Sequence, residues 1–204
     1  MEIGARAWGD HMLALAVAVR DFALPSSHEF FVENGTLLGA LRDGRLIPHD
    51  DDFDFGVVIS SMSEIDDIHE YISAHLPEPY RVRRVSSYAD KLEVFDPTHG
   101  SRLLTGDHYQ GADFHYVTVD VQFHLRDGHM CKCLYRQPGH LWEFPLAMVH
   151  PLSQVVIEGE AFPAPGQARR LLKLRYGCLD RDAVYDPGTG FYVSRSDEKT
   201  GMGR

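Results

Sequence analysis

The segment Asp50-Asp51-Asp52-Phe53-Asp54-Phe55-Gly56-Val57-Val58-Ile59 constrains the fold more than any other. Successive side chains of an extended strand point to opposite faces. Read as a strand, it puts Asp50, Asp52 and Asp54 on one face and Asp51, Phe53 and Phe55 on the other. Such a strand turns its back to a core and its front to a cation, because carboxylates this close repel one another unless a cation joins them. Mg²⁺ is the hard cation that does so together with a phosphate. Just upstream, Gly35-Thr36-Leu37-Leu38-Gly39 reads as a turn entering a short helix over Thr36–Leu41. The first amides of a helix lack intrahelical partners and can receive phosphate oxygens.

Two blander readings fail. Acidic runs are usually solvated loops, but here the acids alternate with Phe53, Phe55, Val57 and Ile59, the pattern of a half-buried strand. Asp50-x-Asp52-x-Asp54 also begins like a calcium-binding EF-hand loop. Gly56 falls one place late for that loop, and Ser61 stands where the bidentate Glu belongs.

The rest of the chain supplies supporting elements. Trp8, Met12, Leu15, Val19 and Phe22 mark one face of a helix that ends near Pro25. Glu29–Glu33 reads as a short strand, and Pro48 keeps the chain extended into the acidic strand. Ser61 caps a helix with a buried stripe of Met62, Ile65, Ile68, Ile72 and Leu76. Tyr80–Val85 and Lys91–Phe95 form a hairpin, and Asp96–Gly111 reads as a loop. In Tyr116–Leu125, Val117, Val119, Val121 and Phe123 face one way, and Thr118, Asp120, Gln122 and His124 the other. Gln154–Glu158 is a further strand and Gln167–Tyr176 a helix. The expectation is one α/β (α+β) domain over residues 1–180, a mixed, mostly antiparallel sheet flanked by helices. Residues 181–204, polar and glycine-rich, read as a loosely held tail.

Composition excludes several function classes. The 204 residues carry a formal net charge of −10, whereas a broad nucleic-acid footprint needs clustered Lys and Arg. Cys131, Cys133 and Cys178 cannot all pair, which points to a reducing, cytoplasmic setting. The apolar run Met12–Val19 is too short to span a bilayer. Its upstream flank holds Glu2 and Asp10 without a basic segment, so no secretory signal is expected.

The element order, helix, strand, Gly-Thr turn, short helix, acidic strand, helix and a later strand with one inward acid, is the layout of the polymerase-β-like nucleotidyltransferase fold. Two aspartates on one strand and a third on its neighbour can chelate one or two Mg²⁺ or Mn²⁺ ions, clamping the oxygens of an in-line displacement. Asp52 and Asp54 are the expected metal pair. Asp120 is the third carboxylate, placed to hold metal and to accept a proton from an attacking hydroxyl.

At these residues the chain resembles the LicD/fukutin-type phosphotransferases. Gly35-Thr36-Leu37-Leu38-Gly39-Ala40-Leu41-Arg42 and Ile47-Pro48-His49-Asp50-Asp51-Asp52-Phe53-Asp54 are similar to the family signature, with His49 where Trp is usual. Val119-Asp120-Val121-Gln122-Phe123 is similar to its later Val-Asp-Ile-Phe strand, and Arg175-Tyr176-Gly177 to its C-terminal pattern, with Cys178 where an acid often follows. The resemblance implies transfer of a phospho-alcohol from a CDP-activated donor to a glycan or other hydroxyl acceptor, releasing CMP. It implies metal binding by Asp52 and Asp54 and a catalytic role for Asp120, while the Gly35 and Thr36 amides, at the helix N-terminus, are the residues expected to receive phosphate. Arg42 in the matched signature and Lys91 on the hairpin are further phosphate-contact candidates.

Three rivals stand beside this expectation. A nucleotidyltransferase would use an NTP and release pyrophosphate. A metal-dependent glycosyltransferase would share the Asp-x-Asp motif, but no βαβ nucleotide-binding half is visible. A non-catalytic binding module would keep the fold alone. Separately, His129, Cys131 and Cys133 would share a strand face and offer a zinc site, although Cys-x-Cys departs from the usual ligand spacing.

Overall fold

The computed structural model describes residues 5–86, 90–102, 114–134 and 143–195. Seven strands form the main sheet: β1 (Phe30–Val32), β2 (Asp52–Ile59), β3 (Arg81–Val85), β4 (Lys91–Arg102), β5 (Phe114–Asp127), β6 (Met130–Cys133) and β7 (Glu143–Pro145). The order is β1-β2-β5-β4-β3, with β6 on the far end of β5 and β7 beside β6. Within this sheet β2 and β5 run parallel, while the other neighbours are antiparallel. This is the mixed, mostly antiparallel sheet expected from the patterning.

Period-two alternation decides what each face carries. Phe53, Phe55, Val57 and Ile59 of β2, Val117–Phe123 at alternate positions of β5, and Leu92 and Val94 of β4 bury one face. Met12, Leu15 and Val19 of α1 (Ala5–Ala18) and its extension cover it, with Ile65, Ile68 and Ile72 of α3 (Glu64–His75). Phe162 of the hairpin β8 (Ser153–Ile157) and β9 (Glu160–Ala164) adds an aromatic cluster, its ring 5.0 Å from that of Phe53. The opposite face is polar.

Several local expectations are corrected. The first helix ends in a π turn over Val19–Ala23. A π turn inserts one extra residue into the helical repeat, so Ala23 is buried while Phe22 is 61% exposed. Met62 precedes α3 rather than lying in its stripe, and is 42% exposed. Ser61 is not the cap; the Glu64 carboxylate accepts the Ser60 and Ser61 amides at 2.9 and 2.8 Å. The chain at Pro48 is not extended: Asp50 N–H donates to Ile47 O (3.0 Å) in a turn, after which β2 spans the expected Asp52–Ile59. β4 runs past Asp96 to Arg102 across a bulge, with Asp96 accepting from the Thr98 amide and hydroxyl; residues 103–111 of the expected loop lie outside the described residues. β9 doubles the single strand expected at Gln154–Glu158. Where a loose tail was expected, residues 184–193 form the hairpin β10 (Val184–Asp186) and β11 (Phe191–Val193), tied to the end of α4 (Ala168–Tyr176) by Cys178 N–H donating to Tyr192 O at 2.7 Å.

The acidic strand is set against α2 (Asn34–Asp43) by close packing. A Cβ on Gly39 would strike the carbonyl oxygen of Arg45 and press on Ile47. Gly39→Ala is therefore expected to destabilise in urea denaturation. The overpacking cost, about 1–3 kcal/mol, outweighs a helix-propensity gain of about 1 kcal/mol, because the atom struck is backbone. An unchanged or raised urea midpoint would refute this.

Candidate active site

The parallel register of β2 and β5 places Asp54 opposite Asp120, and the antiparallel register of β4 places Glu93 opposite Asp120 on its other side. Paired residues on neighbouring strands point to the same face. Three carboxylates thus stand side by side across the middle of the polar face, and Asp52 adds a fourth along β2. Carboxylate oxygens of Asp52, Asp54 and Asp120 all lie within 4.8 Å of one another, and so do those of Asp50, Asp51 and Asp52. Asp51 therefore joins the acids and not the apolar face, because the turn at 47–50 breaks the alternation assumed for it.

The neighbours divide the acids into two sets. Lys91 is buried and bridges Asp120 and Glu93, its Nζ 3.1 Å from Glu93 Oε1. Arg83 of β3 pairs with the other Glu93 oxygen at 2.6 Å. Burial works to raise the Glu93 carboxyl, yet Lys91 and Arg83 hold it below the usual range. Asp52 and Asp54 make no such ion pair among the described residues: burial first, then repulsion from Asp54, Asp50 and Asp51 at Asp52 and from Asp120, Asp50 and Glu33 at Asp54, push both well above the usual carboxylate range, with Lys91 opposing. Asp120 is raised by burial, opposed by Lys91, and raised further by Asp52 and Glu93. Asp50 is pushed up to about 6 by burial and by Asp51. One oxygen of Asp54 accepts from Gln122 Nε2 at 2.7 Å. Oδ1 of Asp120 is buried without a hydrogen-bond partner among the described residues.

That donor set fits a hard divalent cation. The ligands are oxygens only, they converge, and one is buried and unsatisfied, as oxygen-ligated Mg²⁺ or Mn²⁺ sites require.

The expected phosphate-binding residues surround this cluster unequally. α2 begins two residues earlier than expected, at Asn34, so Gly35 and Thr36 fall within its first turn. Gly35 packs so closely on the Asp50 carboxylate that a Cβ there would collide with it. Thr36 is fully buried, and its Oγ1 accepts the Asp54 amide at 2.9 Å, so this hydroxyl fixes the metal strand to the helix. Lys91 lies inside the acidic cluster. Arg42 is turned to the C-terminal segment, donating to Leu179 O (2.7 Å) and Asp180 O (2.9 Å).

The family can be identified at this point. A family model described as LicD/FKTN/FKRP, nucleotidyltransferase domain, matches residues 27–167. The chain belongs to this family. It is also similar to the ribitol 5-phosphate transferase FKRP of Homo sapiens and to that of Mus musculus, 27% identical to each over 151 residues. Those matches cover 72% of this chain but 27% of each relative, so the chain spans little more than a quarter of their length.

Within this LicD/FKTN/FKRP domain, some of the polar face was not foreseen as part of the site. Glu33 and His124 form a buried pair, Oε2 to Nε2 at 2.8 Å, behind Asp54. The alternation of Lys91 and Glu93 against Leu92 and Val94 carried the signal for Glu93; nothing local marked Glu33. The zinc site weighed at His129, Cys131 and Cys133, and disfavoured by their spacing, is not assembled among the described residues; Cys131 and Cys133 are buried in β6. No helix among the described residues is long and apolar enough to cross a membrane.

Proposed function

We propose that this chain is a Mg²⁺- or Mn²⁺-dependent phosphotransferase that moves a phospho-alcohol from a CDP-activated donor to a hydroxyl of a glycan or similar acceptor. The observation that carries this reading is the register of Asp54 with Asp120, two buried acids that make a three-carboxylate centre with the partly buried Asp52 in a domain of this family. The FKRP relatives, named as ribitol 5-phosphate transferases, support a polyol phosphate as the transferred group. In this reading residues 1–180 form the domain that carries the reacting groups, acting in the cytoplasm, where cysteines such as Cys131, Cys133 and Cys178 stay reduced.

Asp52, Asp54 and Asp120 would hold the cation, which neutralises donor diphosphate charge and charge developing in an in-line displacement. The first-turn amides of α2, at Gly35 and Thr36, receive a phosphate oxygen. The acceptor oxygen attacks the phosphorus bearing the alcohol, the bond from that phosphorus to the CMP oxygen breaks, and CMP leaves with the electron pair. Asp120 accepts the hydroxyl proton, and Lys91 holds its carboxylate in position. Positioning and charge neutralisation account for most of the acceleration in such transfers.

A thermal-shift series tests this without knowledge of the acceptor, since a ligand that binds only the folded state raises the melting point. CDP-ribitol, CDP-choline, CDP-glycerol, UDP-sugars and the four NTPs are each compared with and without Mg²⁺ or Mn²⁺. Metal-dependent stabilisation by one CDP-alcohol is expected. Preference for an NTP would favour a nucleotidyltransferase releasing pyrophosphate. No response to any nucleotide or metal would indicate a binding module that kept only the fold.

A further inference from the structure

A cavity of about 300 Å³ lies between the N-terminal turn of α2 and the C-terminal hairpin. One wall is Gly35, Asp50 and His49; the other is Tyr176 at the end of α4 and Tyr192 of β11. The volume is at the lower end of the range for small-molecule pockets. The cavity opens onto the metal centre, because Asp50 lines it and Asp50 shares its carboxylate cluster with Asp52, which is itself grouped with Asp54 and Asp120.

The aromatic wall is built by a segment beyond the family-matched residues 27–167. The rings of Tyr176 and Tyr192 are 6.5 Å apart, and Tyr185 packs edge-on against Tyr192 at 5.6 Å. Tyr192 is anchored through its backbone: its carbonyl accepts the Cys178 amide, and Gly177 packs so closely on it that a side chain there would collide. Arg42 closes the floor by holding the carbonyls of Leu179 and Asp180, and Arg181 pairs with Asp43 at the rim. Contacts with Gly177 and Cys178 fix the hairpin beside the cavity, and Arg42 and Arg181 hold the segment that precedes it, leaving Tyr192 partly exposed. A planar, polar-edged group that must extend a diphosphate toward Gly35 and Asp50 matches this geometry, with its flat face against a tyrosine ring.

We propose that this cavity is the nucleoside subsite of the donor, with the C-terminal hairpin as its wall and Tyr192 as the stacking residue. This rests on the phosphotransferase reading above, and it assigns Arg42 the task of holding the wall rather than contacting phosphate.

The test is equilibrium binding of CMP, UMP, AMP and GMP in Mg²⁺ to the full chain and to Tyr192→Ala, Tyr192→Phe and Tyr185→Ala. Base–aromatic stacking predicts that Tyr192→Ala weakens binding of the preferred nucleotide about tenfold or more. Tyr192→Phe keeps the ring and is expected to bind within about twofold of the wild type, which also guards against misfolding of the alanine variant. Tyr185→Ala, which removes a ring edge-on to Tyr192 but outside the cavity lining, is expected to weaken binding less than Tyr192→Ala does, and Mn²⁺ binding followed by electron paramagnetic resonance is expected to be the same in all four proteins. If Tyr192→Ala binds nucleotide as the wild type does while Asp54→Asn does not, the nucleoside sits elsewhere and the phosphotransferase reading survives. If the wild type binds no nucleotide, both fall together.

Discussion

Asp54→Asn is expected to lower turnover at least about a hundredfold and yet to raise the melting temperature of the metal-free protein. Asp120→Asn is expected to lose as much activity and to become less stable. The divergence follows from what each carboxylate touches. Asp54 is buried among Asp120, Asp50 and Glu33, and its described side-chain hydrogen bond, from Gln122, survives in an amide that still presents an oxygen. Removing its charge relieves repulsion and costs no bond, the usual trade of stability against function at a strained site. Asp120 is one of two carboxylates on the buried Lys91. Neutralising it leaves an ammonium with weaker compensation in a dry setting, which destabilises. Calorimetry without metal, activity with it, and Mn²⁺ titration together check the pair. Near-wild-type turnover in both variants would refute the assignment of these acids. Equal melting-temperature changes would refute the division of the cluster into a lysine-paired half and a metal half.

The legible parts of this molecule were those with a local period. Phe53, Phe55, Val57 and Ile59 against Asp52 and Asp54 announce a strand between a core and a polar face, and the same alternation from Val117 to Phe123 announces its neighbour. Once both strands are drawn, one inward acid on each suggests that Asp54 and Asp120 meet. That they do so in exact pairing, with Glu93 on the far side, depends on sheet order and register, which depend on contacts between segments distant in sequence. Lys91 shows the difference. Its neighbours place it on the polar face, but whether that face at Lys91 meets solvent or Asp120 is a tertiary fact. Phe22 fails for another reason: a helical wheel assumes a constant repeat, and the π turn after Ala18 changes the phase by one residue. The hairpin at 184–193 did carry a local signal, Val184-Tyr185 and Phe191-Tyr192-Val193 about the turn at Pro187-Gly188, but its strands are three residues each within polar flanks; its attachment to Gly177 and Cys178 is through backbone contacts that side-chain patterning does not encode.

His124→Ala is expected to be the most destabilising single change on the polar face, by about 3–5 kcal/mol, the cost of breaking a buried ion pair from one side. His124 is fully buried, and Glu33, its partner, is nearly so. Phe31 stacks on the imidazole with ring centroids 5.9 Å apart, Phe144 meets it edge-on at 5.0 Å, and Cys133 is its register partner on β6. Burial alone would lower the imidazole, but the Glu33 carboxylate and Cys133 beside it prevail and push it up to about 10. Glu33 precedes α2, and its amide donates to Asp54 O at 3.2 Å. The pair therefore ties the entrance of α2 to β2 and β5 directly behind the metal strand. The pH dependence follows from linkage. The folded protein keeps the imidazole proton up to about pH 10, whereas the unfolded chain releases it near the ordinary value of 6.5, so the unfolded state binds fewer protons between these limits. Stability from this pair is complete below about pH 6.5, declines as pH rises, and is lost above about pH 10. Urea denaturation of the wild type and of Glu33→Gln across pH 6 to 10 is expected to show a wild-type advantage that shrinks with pH, because the amide cannot hold the imidazolium as a carboxylate does. A constant difference between the two proteins over that range, or a cost below about 1 kcal/mol for His124→Ala, would show that the pair is held neutral and contributes only packing.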